Sequence, residues 1–261
     1  MVKINQIRAT LAGKTDPALF FCILYFAIHF IHYLGAIDPM CTHWFYLALL
    51  DLVVAIYLFA GKSHYTTAIK PVFNNGFSYL YLALFALASL SVFTALNRTE
   101  ALVCYARFTV TIIAYFNIAI LLHGRLHLFK LLAQVLAVIL LVESLQTLIA
   151  FFNGLETMPL DNLILSLQGN TGLKNIFAAT LVVKIPFVIY CIYTSGLWGK
   201  IIHMGILILG VLSIFIVNAR SSYVGLALVL LVYLLFCVLQ YFKERKTEPL
   251  LYRAGAVLLP M

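Results

Sequence analysis

The chain has 261 residues, of which 64% are hydrophobic and only 10% are charged, and its mean hydropathy is +1.05. Soluble domains average roughly 45–50% apolar and about 25% charged residues. The composition therefore excludes an ordinary soluble enzyme, a disordered chain and a secreted disulfide scaffold. The formal net charge of +8 does not indicate a nucleic-acid partner, because the basic residues lie in short loops between apolar runs.

Apolar runs long enough to cross a bilayer core of about 30 Å recur along the whole chain. None alternates like a barrel strand, so each is expected to satisfy its backbone hydrogen bonds as a helix. A last run begins at Ala254 and stops at Met261, which is too short to span and suggests a fragment. We therefore predict an all-α, polytopic transmembrane bundle, a single multi-pass domain over 1–261, with about eight complete spans and the start of a ninth. The spans are expected at roughly 17–34, 41–60, 77–96, 101–122, 128–152, 175–193, 200–217 and 221–242.

Lysine and arginine residues in the loops indicate the orientation, because cytoplasmic loops carry an excess of both. With the N-terminus inside, the inner segments hold 12 of them and the outer segments hold 3, which are Arg98, Lys174 and Arg220. This split predicts a cytoplasmic N-terminus. The longest outer loop covers about 153–174, and its apolar stretch Leu160–Leu167 is expected to lie along the interface as a short helix.

Four charged residues fall inside predicted spans, where a charge costs a few kcal/mol and usually faces the bundle interior. They are Asp51, Arg107, Glu143 and Lys184. Glu143 is expected to neutralise either Lys184 or Arg107, as a structural contact or as part of a functional site. Lys184 lies near the middle of the membrane, two residues before Pro186, whose missing N–H interrupts the backbone hydrogen bonds.

The cysteines and histidines predict neither a metal site nor a disulfide framework. The five cysteines are scattered singly in or beside apolar runs, and no pair has metal-ligand spacing. His29 and His32 share a helical face, but no carboxylate or thiol completes a set of ligands. We therefore expect packing or interfacial roles for these residues, with no metal and no cofactor.

Two stretches at the predicted outer face have more specific patterns. Residues 169–175 form a glycine-rich turn, and Asn175 is expected to cap the helix that follows. Lys174 lies at that helix N-terminus. The segment is therefore either an anion site or simply a well-formed turn and cap. Residues 218–226 contain Arg220 in a very short outer connection. An arginine at a helix N-terminus suits a phosphate group, and an arginine that contacts lipid headgroups is the alternative.

At these two stretches the sequence resembles the O-antigen ligase and polymerase family of bacterial envelope membrane proteins. The glycine–asparagine loop leading into a proline-containing helix, NTGLKNIFAATLVVKIPF, is most similar to ligase-like members from Bacteroidetes. The short Ala-Arg-Ser turn into an apolar helix follows, as in that family. The likeness is strong over about 169–235, and 169–261 resembles the family core ahead of its large periplasmic loop. The first 168 residues match in hydropathy and topology.

The resemblance implies transfer of a glycan from an undecaprenyl-pyrophosphate donor to a lipid A-core or growing glycan acceptor, at the periplasmic face of the bacterial inner membrane. In this family the arginine of the turn, here Arg220, is linked to the donor pyrophosphate. Cations at the outer surface suit that group, so the expected donor site comprises Arg220, Ser221, Lys174 and Arg107. The catalytic base is expected beyond residue 261, and the chain alone is expected to be inactive. The expected partners are donor, acceptor and membrane lipids, without nucleic acid.

A secondary transporter or a flippase for lipid-linked glycans is the alternative. Intramembrane charges and a helix broken by proline also suit a substrate site at the bilayer midplane. The depth of the charges separates the two functions. A transporter is expected to concentrate charge near the midplane, as Asp51 and Lys184 do, whereas a transferase is expected to concentrate cations at one surface.

Overall fold

A computed structural model describes residues 16–31 and 40–244, and these residues form helices without any strand. The predicted all-α, polytopic membrane bundle is confirmed. In the described part, seven helices are long and apolar enough to cross a membrane, and Pro17–Phe30 is a shorter apolar helix at the first predicted span. The ninth run lies outside the described residues. The α-helices are α1 Pro17–Ala27, α2 Cys41–Ala60, α3 Lys62–Phe73, α4 Gly76–Thr94, α5 Arg98–Leu122, α6 Leu126–Leu155, α7 Leu160–Ser166, α8 Lys174–Thr194, α9 Leu197–Val217 and α10 Arg220–Glu244.

The helix starts follow from capping residues that are visible in the sequence. Asp16 accepts a hydrogen bond from the Ala18 N–H, and a proline occupies the first position of α1. Asn75 caps α4 and Asn97 caps α5 in the same way, each through its side-chain oxygen. At the other end of a helix, Asn218 has φ 53° and ends α9 in the left-handed region. These side chains satisfy backbone groups that a helix end otherwise leaves open.

The helices group into two compact units, each of which is described by itself. Among the described residues, unit 1 comprises 16–31 and Cys41–Phe129, and unit 2 comprises Met40 and 130–244. Within unit 1, α5 packs against α1, α2, α3 and α4. Within unit 2, α8 packs against both α9 and α10. The central helix of each unit therefore carries the side chains that meet several neighbours.

Helix α3 was not predicted, because its segment was interpreted as a loop between the second and third spans. It is a 12-residue helix, too short and too polar to count as a span. Tyr65, Ala68 and Val72 are buried, and this spacing of three and four residues places them on one face. Val72 packs with Ile112 and Phe116 of α5. The segment is helical because that one face is covered.

The core of unit 2 lies between α8 and α9. Leu181, Ile185 and Val188 on α8 are completely buried, as are Leu207 and Ile214 on α9. The short helix α7, Leu160–Ser166, confirms the helix predicted in the long outer loop. A close-packed core of this kind holds the ends of α8 and α9 in fixed positions.

Gly210 on α9 offers a test of this packing. A Cβ added at Gly210 lies 2.9 Å from Cδ2 of the buried Leu140, whereas one added at Gly205 on the same helix meets nothing within 4 Å. Both Gly→Ala changes gain about 0.8–1 kcal/mol of helix propensity, but overpacking costs about 1–3 kcal/mol. We expect Gly210→Ala to unfold at a lower temperature than Gly205→Ala in the same detergent. Equal melting temperatures would contradict the α9–α6 contact.

Candidate functional site

Two basic residues lie at the same end of unit 2. Lys174 is the first residue of α8 and Arg220 is the first residue of α10. Two-residue connections join α8 to α9 and α9 to α10, so α8 and α10 run in the same direction. Their packing brings the two N-terminal ends, and the partial positive charge of each, to one side of the unit.

The contact between α8 and α10 gives the relative height of these cations. A Cβ added at Gly225 of α10 lies 3.2 Å from Cγ1 of Val182 on α8. Lys174 precedes Val182 by eight residues, about 12 Å along the axis, and Arg220 precedes Gly225 by five residues, about 7.5 Å. The two cations are thus offset by about one helical turn. Arg220 is exposed and Lys174 is half-buried.

The connection between α9 and α10 orients Arg220. The Asn218 N–H donates to the carbonyls of Ile214 and Phe215, and the Tyr223 hydroxyl donates to Asn218 Oδ1 at 2.9 Å. Ser221 is exposed beside Arg220. Its hydroxyl and the backbone N–H groups of Arg220 and Ser221, the first two residues of α10, are hydrogen-bond donors of the kind that bind an anion.

Ser222, the third residue of α10, is not among the residues predicted for the donor site. Its side chain is 3% exposed, and its buried Oγ has no hydrogen-bond partner among the described residues. Its backbone N–H donates to the Ala219 carbonyl at 3.0 Å. Ser222 therefore fixes the first turn of α10, while Ser221 is the serine that solvent reaches.

The glycine-rich turn before α8 has the predicted tight conformation, but the predicted cap is wrong. Gly169 and Gly172 have φ of 53° and 69°, which only glycine adopts freely. The helix begins at Lys174 with Leu173 in the capping position, so Asn175 is already inside the first turn and exposed. The Thr171 hydroxyl bonds to the Leu173 carbonyl at 3.0 Å and holds that residue extended ahead of the helix.

Arg107, the third predicted cation of the donor site, belongs to unit 1. Its guanidinium carbon lies 6.0 Å from the centre of the Trp44 ring, within the range of a cation–π interaction. The structure therefore brings Lys174 and Arg220 together within unit 2 and gives Arg107 an aromatic neighbour on α2.

The buried charge of unit 2 is paired. Lys184 Nζ donates to Glu143 Oε2 at 2.8 Å and to the Thr180 carbonyl at 3.0 Å. Lys184 is 2% exposed and Glu143 is 6% exposed. Of the two partners expected for Glu143, Lys184 makes this contact. The Thr147 hydroxyl donates to the Glu143 carbonyl at 2.8 Å, so polar groups continue along this face of α6.

Asp51 in unit 1 lies in a separate polar cluster. The Tyr25 hydroxyl donates to Asp51 Oδ1 at 2.6 Å, and Asn117 Nδ2 lies 3.1 Å from the Tyr25 oxygen. All three side chains are buried. Tyr25 and Asn117 were not predicted as partners of Asp51, although a buried carboxyl requires donors and both are polar groups inside apolar runs.

An apolar groove of 420 Å³ runs between α8 and α10. Pro186 and Ile189 line it from α8, and Leu228, Val232 and Phe236 line it from α10 at intervals of four residues. Leu228 follows Arg220 by eight residues, so the groove starts about 12 Å along the axis from that cation. The cation Arg220 and the apolar groove therefore lie on the same pair of helices.

The chemistry available at this end of unit 2 is that of cations and hydrogen-bond donors. Among residues 16–31 and 40–244, no three His, Cys, Asp or Glu side chains are grouped as ligands for a metal ion. Comparison with protein-family models, with curated proteins and with solved structures finds no match for this chain.

Proposed function

We propose that this chain is part of a glycosyltransferase of the bacterial envelope, which transfers a glycan from an undecaprenyl-pyrophosphate donor to a lipid A-core or growing glycan acceptor. The observation that carries the proposal is the position of Arg220 and Lys174 at the N-terminal ends of two packed, parallel helices. The sequence resemblance over about 169–235 supplies the donor chemistry.

The pyrophosphate is the leaving group of the proposed reaction, and negative charge develops on it as the glycosidic bond breaks. Arg220 offers a planar pair of donors to phosphate oxygens, and Lys174 adds a second positive charge. Fixed cations and helix N-termini stabilise that charge more in the transition state than in the ground state when they are held in place beforehand. Ser221 adds a hydroxyl donor at the same turn.

The lipid tail of the donor requires an apolar surface beside the charged end. The groove between Ile189 of α8 and Val232 of α10 supplies one, and it lies along the same helices as the cations. Burial of each CH₂ group contributes about 0.8 kcal/mol when the surface is removed from water, but inside a bilayer the tail is already in hydrocarbon. We therefore propose that the groove positions the lipid tail and that the cations provide the affinity for the donor.

The direct test is equilibrium binding of undecaprenyl pyrophosphate to the chain in nanodiscs, with undecaprenol as the ligand that has the tail but no phosphates. Binding of undecaprenyl pyrophosphate without binding of undecaprenol supports the proposal. Equal binding of both would assign any affinity to the tail and contradict the donor site. Acceptor activation is assigned to a base beyond residue 261, as the resemblance implies.

The proposed function also requires that Arg220 face the periplasm, which predicts a labelling pattern. In a variant without the five native cysteines, we expect Asn162→Cys to react with a membrane-impermeant maleimide added outside. Gly196→Cys, in the exposed turn between α8 and α9, should react only after the membrane is opened. Outside labelling of Gly196→Cys with protection of Asn162→Cys would place the donor site in the wrong compartment.

A secondary transporter or a lipid-linked glycan flippase is the second candidate function. The buried contact between Lys184 and Glu143 favours it, since paired charges inside a membrane protein are used in substrate and ion pathways. Movement of a lipid-linked glycan across the membrane of vesicles containing the purified chain, abolished in a stably folded Glu143→Leu and Lys184→Met double variant, would support this function. Binding without movement would support the transferase.

A further inference from the structure

The polar cluster of unit 1 lies at the centre of the second span. Asp51 is the eleventh residue of the 20-residue helix α2 and is 4% exposed. Its Oδ1 accepts hydrogen bonds from the Tyr25 hydroxyl at 2.6 Å and from Asn117 Nδ2 at 3.4 Å. Asn117 Nδ2 also donates to the Asp51 carbonyl at 3.2 Å. The cluster thus joins α1, α2 and α5 through one carboxyl group.

The two oxygens of that carboxyl have different surroundings. Oδ1 receives both donors, whereas Oδ2 is buried and has no hydrogen-bond partner among the described residues. An ionised carboxylate shares its charge between both oxygens, and leaving one of them unpaired away from water is costly. A proton on Oδ2 makes the group neutral and leaves Oδ1 as a carbonyl oxygen that accepts from Tyr25 and Asn117.

In the described part of the chain, no cation on the helices packed against α2 contacts the carboxyl group of Asp51. The titratable or charged side chains on these elements include Cys22 and Tyr25 on α1, His29 in the following 3₁₀ turn, Tyr65 on α3 and Arg107 on α5. Tyr65 bonds to Tyr57, six residues beyond Asp51 and about 9 Å along the axis. Arg107 lies over Trp44, seven residues before Asp51 and about 10 Å away along it.

We propose that Asp51 is a proton-binding site inside the membrane: Oδ2 carries a proton reversibly, and Oδ1 accepts hydrogen bonds from Tyr25 and Asn117. The proton comes from water and returns to it, so the step is a simple exchange between the carboxylic acid and the carboxylate. A metal cation would need several oxygen ligands, and Oδ2 is the single open carboxylate oxygen of the cluster. The site belongs to unit 1 and is independent of the proposed donor site in unit 2.

Infrared difference spectroscopy of the full chain in lipid, titrated from about pH 5 to about pH 9, tests this proposal. We expect a carboxylic-acid C=O band that diminishes reversibly as the pH rises and is absent in Asp51→Asn. Tyr25→Phe should shift the band to higher frequency, because the C=O group loses a hydrogen bond. Glu100→Gln, which changes an exposed carboxyl at the start of α5, should leave the band unchanged.

Two results would overturn the site. Absence of any pH-dependent band that Asp51→Asn removes would show a structural carboxyl that keeps one protonation state over this range. A band that appears in choline buffer but disappears with sodium at the same pH would show a sodium site. If Asp51→Asn fails to fold, the wild type is labelled with ¹³C-aspartate instead. The label shifts the frequency of a carboxyl band that comes from aspartate and leaves a band from Glu143 unchanged. The readout then separates the two buried carboxyls without a variant.

Discussion

Replacing Arg220 by lysine is expected to weaken binding of undecaprenyl pyrophosphate by about 10- to 100-fold. The guanidinium can form paired hydrogen bonds to phosphate oxygens in a fixed plane, which the single ammonium of lysine does not reproduce. Losing one charge-assisted hydrogen bond corresponds to about 1.5–3 kcal/mol. The measurement is equilibrium donor binding in nanodiscs for the wild type, Arg220→Lys and Arg220→Ala, in which the alanine variant should bind most weakly.

Arg98 provides a matched control for this substitution. It is also an exposed arginine at the first position of a long apolar helix, α5, but it belongs to unit 1. Arg98→Lys should leave donor affinity unchanged, and all variants should insert with the same yield and melting temperature. Equal affinities of the wild type and Arg220→Lys would identify Arg220 as a headgroup anchor, because either basic side chain can extend to the lipid surface.

The sequence predicts the long helices well because their length is set by the bilayer. The span expected at 175–193 is the helix Lys174–Thr194, and the one expected at 200–217 is Leu197–Val217. A continuous apolar run of this length has few other structures available to it in lipid. The ends are less predictable, since they depend on local caps. Asn175 has the right residue type for a cap, yet Leu173 occupies that position.

The partners of the buried polar residues were harder to predict. Glu143 and Lys184 were recognised as costly residues, but their contact joins positions 41 residues apart. Asp51 and Asn117 are 66 residues apart. The sequence shows that a buried carboxyl needs donors without showing which helix supplies them, because apolar faces alone do not fix which helices are neighbours. The amphipathic helix α3 was missed for the same reason: its buried face exists only against the neighbouring helices α2 and α5.

The buried ion pair of unit 2 leads to the largest expected change in stability. Glu143→Gln should lower the free energy of unfolding by about 3–5 kcal/mol, because it leaves the Lys184 ammonium buried without a counter-charge. Lys184→Met should cost a similar amount, since it leaves the carboxylate unpaired. The measurement is the unfolding free energy or melting temperature of the purified chain in one detergent at constant pH.

Lys130 is the matched control for the lysine substitution. Its Nζ also donates to a backbone carbonyl, that of Thr194, at 3.0 Å, but the side chain is exposed. Lys130→Met should therefore change stability by less than about 1 kcal/mol. If Lys184→Met lowers the free energy of unfolding no more than Lys130→Met does, the ammonium of Lys184 is hydrated and its contact with Glu143 is not a buried ion pair.

The double variant Glu143→Leu with Lys184→Met separates a structural pair from a functional one. Replacing both charges by apolar side chains of similar size removes the desolvation cost of each, so stability should return to within about 1 kcal/mol of the wild type or exceed it. Donor binding should also persist, because Arg220 and Lys174 are unchanged. A stable double variant that binds donor as well as the wild type assigns the pair to packing. A stable double variant that loses glycan movement across vesicles would instead assign the pair to transport and favour the flippase.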